Sequence, residues 1–416
     1  MVRAAFVADD FTGATDALWQ FQRYGLRSRL FTTMPETLDD EYDVIGIATT
    51  ARSVTDSSRI ALPALRILAG LEPELLQYKV CSTFDSSPER GSIGAVIDGV
   101  QRELGLDLPV PVLPAQPEFG RWTAFANHFA AYAGQNYRLD RHDPMRTHPA
   151  TPVDEPDLRL HLGRQLPSGS TVGVLHVPLL RDDAALAAGL TDCLHGSDRA
   201  FVVDAMTDAD LVRFGASLRH HRCGFDRPVF AVGSGGLSYG YGAALAGSGV
   251  PPAPAHGDVR PAQGPVLVVS GSCSPVTDRQ IRAAEQAGWF SMHIDSADVT
   301  GQVRAALGDG RHTVVYTARG QSTATAPTDL SRRLGTLALG AVEDGLTRRL
   351  VVAGGDTSGE IIGMAGVTAI EILSSIDVAG LLCRMFGAGS VLDGAEAVLK
   401  GGQVGGDDFF LRVAGQ

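Results

Sequence analysis

Cysteine, lysine and long apolar runs are all scarce in this 416-residue chain, and each scarcity removes a class of protein. The five cysteines, Cys81, Cys193, Cys223, Cys273 and Cys383, are scattered, odd in number and form no CxxC pair. That argues against a disulfide framework and a structural zinc site, and no HxH or HExxH spacing supports zinc elsewhere. No apolar run approaches the roughly 18–20 residues of a membrane span. The apolar stretch at the start is broken by Asp9 and Asp10 too early for a secretory signal, so the expected location is the cytoplasm. GxxxxGK[ST] is absent, which excludes a P-loop protein, and the missing GxGxxG with a downstream acid counts against a dinucleotide-dependent dehydrogenase. Only Lys79 and Lys400 are lysines among 35 basic residues, and 47 acidic residues bring the formal charge to −12. Nucleic acid and anionic membrane surfaces are therefore poor partners, although a cleft rich in backbone N–H groups still suits a small anion.

What is present reads as an α/β protein. Hydrophobic content of 44% and charged content of 20% are those of an ordinary globular chain, and the length suits two domains. Short apolar runs end in Gly, Ser or Asp and lead into Ala/Leu-rich stretches: Ala4–Ala8, Val44–Ala48, Thr171–Val177, Phe201–Val203, Val229–Val232, Val266–Val269, Thr313–Tyr316 and Leu350–Ala353. Strands alternating with helices predict mainly parallel sheets covered on both faces. The Pro/Gly/Ala stretch between Leu245 and Pro265 lacks hydrophobic periodicity and reads as a linker. The expected division is a first domain over 1–246, a linker over 247–264 and a second domain over 265–416. Residues 114–157 show no clear strand pattern, and an active-site covering or partner-facing insertion is expected there.

The densest chemistry lies at Phe6–Asp16, where an apolar run drops into Asp9 and Asp10 and a helix-like segment carries Asp16. This is a buried strand reaching its carboxyl end, where open α/β sheets bind ligands. Three carboxylates suit sugar hydroxyls or a hard cation, and they serve equally well to organise the turn and cap the helix. After Val44–Ala48 comes Arg52, whose guanidinium fits a carboxylate. Lys79 opens the run Val80-Cys81-Ser82-Thr83-Phe84-Asp85-Ser86-Ser87, whose Ser82, Thr83 and Asp85 read as a polar binding loop. Cys81 lacks the His/Asp neighbours of a nucleophile.

In the second half, Ser270-Gly271-Ser272-Cys273-Ser274-Pro275 follows one strand, with Ser274 a good N-cap and Pro275 suited to the first helical position. Gly354-Gly355-Asp356-Thr357-Ser358 follows another, and its glycines let a ligand approach the backbone. Gly233-Ser234-Gly235-Gly236 is a third such junction, and Lys400-Gly401-Gly402 closes the chain with a turn that fits either a nucleotide or a hairpin. Two small-residue loops at strand ends in one small domain point to a nucleotide.

Taken together, Ala8–Asp16, the Arg52-Ser53 pair, the Cys81–Ser87 hydroxyl run and Gly354–Ser358 resemble the four-carbon acid sugar kinase family over essentially the whole chain. Cys81–Ser86 with Gly91-Ser92-Ile93-Gly94 is most similar to its 3-oxo-tetronate kinase branch; Ala150 and Val153 stand where methionines are usual, and Arg90 before Gly91 is also less typical. The resemblance implies an amino-terminal domain for the acid sugar, a carboxyl-terminal domain for ATP, an active site in the cleft between them, and phosphorylation of a terminal hydroxyl with ATP and Mg²⁺. It implies that Arg52 meets the substrate carboxylate; that Asp9, Asp10 and Asp16 meet its hydroxyls, one carboxylate acting as base; and that Lys79, Ser82, Thr83 and Asp85 complete the pocket. Ser270, Ser272, Ser274, Gly354, Gly355, Thr357 and Gly401 would hold ATP, with Asp356 facing the metal. A threonate or erythronate kinase of the same family, a non-catalytic sugar-acid sensor and a nicotinamide-dependent oxidoreductase stay open alternatives. Oligomeric state stays open too, a homodimer being common among soluble metabolic enzymes.

Overall fold

The computed structural model describes residues 2–35, 41–148, 150–222, 227–249, 259–318, 327–377, 380–402 and 404–416, the side chains of 222, 327, 328 and 356 excepted. The chain divides into two compact units, Met1–Leu30 with Glu36–Pro252, and Phe31–Pro35 with Ala253–Gln416. Much of the expected linker, residues 250–258, lies outside the described residues.

The first unit contains strands β1 (Ala4–Ala8), β2 (Ser28–Phe31), β3 (Val44–Ala48), β4 (Leu75–Lys79), β5 (Val110–Leu113), β6 (Arg121–Ala124), β7 (Asn127–Tyr132), β8 (Gln135–Arg138), β9 (Val172–Leu175), β10 (Ala200–Val203) and β11 (Val229–Gly233). Its helices are α1 (Phe11–Gln22), α2 (Ser57–Ala69), α3 (Ile93–Leu104), α4 (Asp143–Arg146), α5 (Leu158–Gly163), α6 (Asp183–Leu194), α7 (Asp208–Arg222) and α8 (Gly235–Ala246). The main sheet runs β3-β1-β4-β11-β5-β10-β9, every pair parallel. Strands buried on both faces need no alternation, and β1, β3, β4 and β11 are buried at every residue. Strand order reverses at β1, whose neighbours on the two sides are β3 and β4. The register sets Ala8 opposite both Ala48 and Lys79, and Lys79 opposite Gly233, so the turns that follow leave the sheet at one level.

The stretch 114–157 departs from the expectation of little regular structure. β6, β7 and β8 form an antiparallel sheet, closed by α4 over Ala130, Leu139, Met145 and Val153. The β6–β7 turn holds Phe125 and Ala126 at φ of 52° and 62°, a left-handed conformation that costs non-glycine residues about 1 kcal/mol each. Buried Asp204 offsets this cost: its carboxylate accepts from the N–H groups of Phe125 (2.7 Å), Ala126 (2.9 Å) and Val177 (3.0 Å). Asp204→Ala leaves those groups without their acceptor and is expected to cost about 3 kcal/mol. Urea unfolding checks this, and a change below 1 kcal/mol would mean that water or a shifted turn replaces the carboxylate.

The second unit contains β12 (Val266–Ser270), β13 (Phe290–His293), β14 (Thr313–Tyr316), β15 (Arg349–Ala353), β16 (Ala369–Asp377), β17 (Gly380–Phe386) and β18 (Glu396–Lys400), with α9 (Pro275–Gln286), α10 (Val299–Gly308), α11 (Pro327–Glu343), α12 (Gly355–Ala365) and α13 (Phe409–Ala414). Its strands run β13-β14-β12-β15-β18-β17-β16; the first five are parallel, while β17 and β16 continue antiparallel. Ser270, Ala353 and Lys400 lie level at the carboxyl ends of β12, β15 and β18. The core beneath them gathers Val268, Val351 and Val398 with Ile281, Phe409 and Phe410. No helix among the described residues is long and apolar enough to cross a membrane.

Candidate functional site

Each unit carries one of the two lysines at the carboxyl end of a strand, and both are buried, Lys79 at 2% exposure and Lys400 at 0%. Burying an ammonium is costly unless it is paired or has an anion to meet. The two lysines differ in how this cost is met.

In the first unit Asp10 is the N-cap of α1, its Oδ1 accepting from Gly13 N–H at 2.8 Å. A side chain at Gly13 would place its Cβ 2.4 Å from Asp10 Oδ1 and 2.9 Å from Lys79 Nζ, so glycine here keeps carboxylate and ammonium accessible to one another. Lys79 Nζ donates to the Val80 carbonyl at 3.2 Å and lies 3.6 Å from Asp16 Oδ2. Asp16 is further held by Gln20 (3.0 Å) and by Gln116 (3.0 and 3.2 Å). Arg52 is already engaged: Nε and Nη2 donate to the two oxygens of Asp9 at 3.0 and 2.6 Å, and Nη1 and Nη2 reach Asp10 at 3.1 and 2.9 Å. Burial pushes the Asp9 carboxyl above its ordinary value, with Arg52 pulling the other way. The structure thus brings Asp9, Asp10, Asp16, Arg52 and Lys79 together. It does not show Arg52 as a free carboxylate receptor or Asp16 as an open acceptor; both are largely satisfied by protein partners.

The hydroxyl run folds over this site and is internally bonded. Thr83 Oγ1 donates to Asp85 at 2.6 Å and contacts Cys81 Sγ at 3.0 Å. Burial raises the Cys81 thiol to about 11, consistent with a structural role. Ser82 presents its carbonyl to His128 Nε2 at 2.7 Å, and His128 Nδ1 meets the Thr123 hydroxyl at 2.9 Å. Ser82 therefore accepts from a neutral Nε2–H imidazole, which burial holds down at about 4. Gln165 ties Ser86 (2.9 Å) to the N–H of Ile93 (2.8 Å) at the start of α3. His128, Gln116 and Gln165 carry no motif, and sequence reasoning missed all three.

In the second unit Ser274 caps α9 through Val276 N–H and Pro275 takes the first turn. Ser272 Oγ accepts from Ser274 N–H at 3.2 Å and lies 3.1 Å from Thr277 Oγ1 in a hydroxyl–hydroxyl contact. Thr277 donates to Gly402 O at 2.8 Å and lies 3.3 Å from Lys400 Nζ. A Cβ on Gly402 would lie 2.4 Å from Ser272 Oγ, so the close approach of these loops requires glycine there. Gly354 N–H donates to Lys400 O at 2.9 Å, and Thr357 Oγ1 meets Ser331 at 3.1 Å. Ser270, Ser272, Ser274, Gly354, Thr357 and the Lys400–Gly402 turn are thus gathered, and Thr277 and Ser331 join them unforeseen. Gly355 opens α12 and Asp356 follows on its first turn, with the Asp356 side chain outside the described residues.

Among the described residues Lys400 has no carboxylate partner; its neighbours are a hydroxyl and the rings of Phe409 and Phe410 at 5.8 and 5.9 Å. Burial lowers its ammonium from 10.5 to about 7. From about 7 to 10.5 the unfolded chain holds a proton that the folded one lacks, so this group makes stability rise with pH across that window. An anion bound beside Lys400 would favour the charged ammonium and restore the proton. ADP binding is expected to take up protons in the same window, seen by calorimetry in buffers of different ionisation heat, and Lys400→Met should abolish that uptake.

A carboxylate-lined cluster thus lies in one α/β unit and a hydroxyl- and N–H-lined cluster in the other. Residues 4–241 match the family model described as a sugar-binding N-terminal domain, and residues 267–410 match that described as a nucleotide-binding C-terminal domain. The chain belongs to the four-carbon acid sugar kinase family and is a carbohydrate kinase that uses ATP. It is 35% identical to a 3-oxo-isoapionate kinase of Paraburkholderia graminis, covering 98% of this chain and 93% of that protein. It is 32% identical to a 3-oxo-tetronate kinase of Methylobacterium radiotolerans, covering 98% and 97%. A Salmonella typhimurium LT2 crystal structure described as a putative tRNA synthase superposes with a TM-score of 0.80 at 26% identity, covering 99% and 98%. A Haemophilus influenzae protein of 22% identity shares the fold at a TM-score of 0.73, over 99% of both chains.

Proposed function

We propose that this kinase transfers the γ-phosphoryl group of ATP to the terminal hydroxyl of a 3-oxo four-carbon acid sugar, 3-oxo-tetronate giving 3-oxo-tetronate 4-phosphate. The observation that carries this reading is the contrast between the two lysine sites. A polyol acid needs a carboxylate to accept from its hydroxyls and a cation for its own carboxylate, as at Asp10 and Lys79. A polyphosphate needs N–H and O–H donors and a cation without competing acids, as at Ser272, Ser274, Thr277 and Lys400. Asp10 is the better candidate base, since its side chain is 23% exposed whereas that of Asp9 is 3% exposed. Arg52 and Asp16 act by fixing Asp9, Asp10 and Lys79, while the loop bearing Ser82, Thr83 and Asp85 walls the pocket.

We assign Mg²⁺ to the second site as part of this proposal. This ion keeps several waters and needs only one or two carboxylates beside the substrate phosphates. No group of three or more His, Cys, Asp or Glu side chains suited to a metal occurs among the described residues. Asp356 would supply the carboxylate and Thr357 a hydroxyl, and the ion would neutralise charge on the transferring phosphoryl group.

3-Oxo-isoapionate, the substrate in the name of the 35% identical relative, is the second reading. ADP release assayed with ATP, Mg²⁺ and 3-oxo-tetronate, 3-oxo-isoapionate, threonate and erythronate decides among them. A 3-oxo acid should be turned over most efficiently; no ADP from any of the four would overturn the proposal.

A further inference from the structure

We propose that the nucleotide-binding domain carries a second anion site, at the opposite ends of the strands that end in the nucleotide loops, built for a compact oxyanion with two or more negative charges. The residues are Arg260, Arg348, Arg349, Arg384 and Glu396, around a concavity of about 250 Å³. Arg349 and Glu396 are the first residues of β15 and β18, whose last residues, Ala353 and Lys400, lie at the nucleotide loops. Four steps of about 3.3 Å separate the first and last residues of each strand by roughly 13 Å, so one small anion cannot serve both.

The charge arrangement sets this place apart. Arg349, 3% exposed, satisfies Glu396 with Nε at 2.7 Å and Nη2 at 2.6 Å, and its Nη1 donates to the carbonyls of Arg260 and Val413, both at 2.8 Å. The one carboxylate in the concavity is thereby neutralised, and the Arg260 backbone is fastened at its rim. Among the described residues Arg260, Arg348 and Arg384 form no ion pair, although Glu371 and Glu396 are the cross-strand register neighbours of Arg384 on its two sides. Some exposed arginines of this acidic chain find carboxylates, as Arg66, Arg138, Arg146 and Arg279 do, while among the described residues Arg59, Arg90, Arg227 and Arg311 form no ion pair; what distinguishes this place is that three such arginines line one hollow. Three exposed guanidinium groups without ion pairs among the described residues line one small hollow, and a multiply charged anion there would accept charge-assisted hydrogen bonds from them. The hollow is smaller than the roughly 300–1,000 Å³ pockets of drug-sized ligands, which fits a phosphate or a short dicarboxylate.

Calorimetry tests this on the full-length protein saturated with ADP, at constant ionic strength, with sodium phosphate in one arm and succinate in the other. Saturable binding of either anion is expected, and which one binds identifies the ligand as phosphoryl or carboxylate. The exposed pair Arg348→Gln/Arg384→Gln should weaken that binding about tenfold or more while ADP affinity stays unchanged, which also reports that the domain is folded. Absence of saturable binding in both arms, binding that appears only without ADP, or binding indifferent to the double substitution would each overturn the site.

Discussion

Asp10→Ala is expected to lower kcat by about 10²–10⁴-fold, the range supplied by a positioned general base, while ADP binds as in the parent protein. Asp10 does two jobs at once: it caps α1 through Gly13 N–H and faces Arg52 with both oxygens. Loss of the cap alone costs about 1 kcal/mol of stability, which does not explain a large kinetic effect. Asp10→Asn separates the two jobs, because an amide oxygen still caps the helix but takes up a proton poorly. Its melting temperature should return toward that of the parent while turnover stays low. Recovery of turnover in Asp10→Asn would remove Asp10 as the base, and loss of ADP binding in Asp10→Ala would contradict the assignment of acid and nucleotide to separate domains.

Arg52→Ala is expected to destabilise the first domain by on the order of 3 kcal/mol. The reason is the state of Asp9, which is 2% exposed and accepts from Arg52 through both oxygens. Removing one partner of a buried pair leaves an uncompensated charge, which costs more than the intact pair contributes. Lys79 lies near enough to Asp9 to ease this in part. Arg52→Lys should not restore stability fully, since an ammonium cannot reproduce the forked contact. Urea unfolding followed through Trp19 and Trp122, both in the first unit, checks the figure; a change below about 1 kcal/mol would show that Asp9 is neutralised by another group.

The sequence made the strand ends legible because each carries its own local signal. Ala4–Ala8 and Thr313–Tyr316 occur as expected, and β15 begins one residue earlier than the apolar run, at Arg349. There the arginine side chain is satisfied by Glu396 and two carbonyls, which no local pattern reveals. The small sheet of β6, β7 and β8 was illegible for a different reason. Its β8 is mostly exposed and β6 only half-buried, so neither alternates cleanly, and its turn uses Phe125 and Ala126 where sequence rules look for glycine or asparagine. At the candidate site, residue types marked out the polar clusters that the fold gathers, whereas their internal pairing did not show. Arg52 with Asp9 spans 43 positions and Gln116 with Asp16 spans 100, so which groups are consumed by the protein and which face a ligand is decided by the fold.

The central claim is that acid sugar and nucleotide are held by different lysine sites, and a crystal structure with the unreactive pair of ADP and a 3-oxo acid tests it most directly. The acid should contact Lys79 and Asp10, and the diphosphate should contact Ser272, Thr277 and Lys400. Diphosphate density at Asp9–Arg52, or an acid sugar at Lys400, would contradict it.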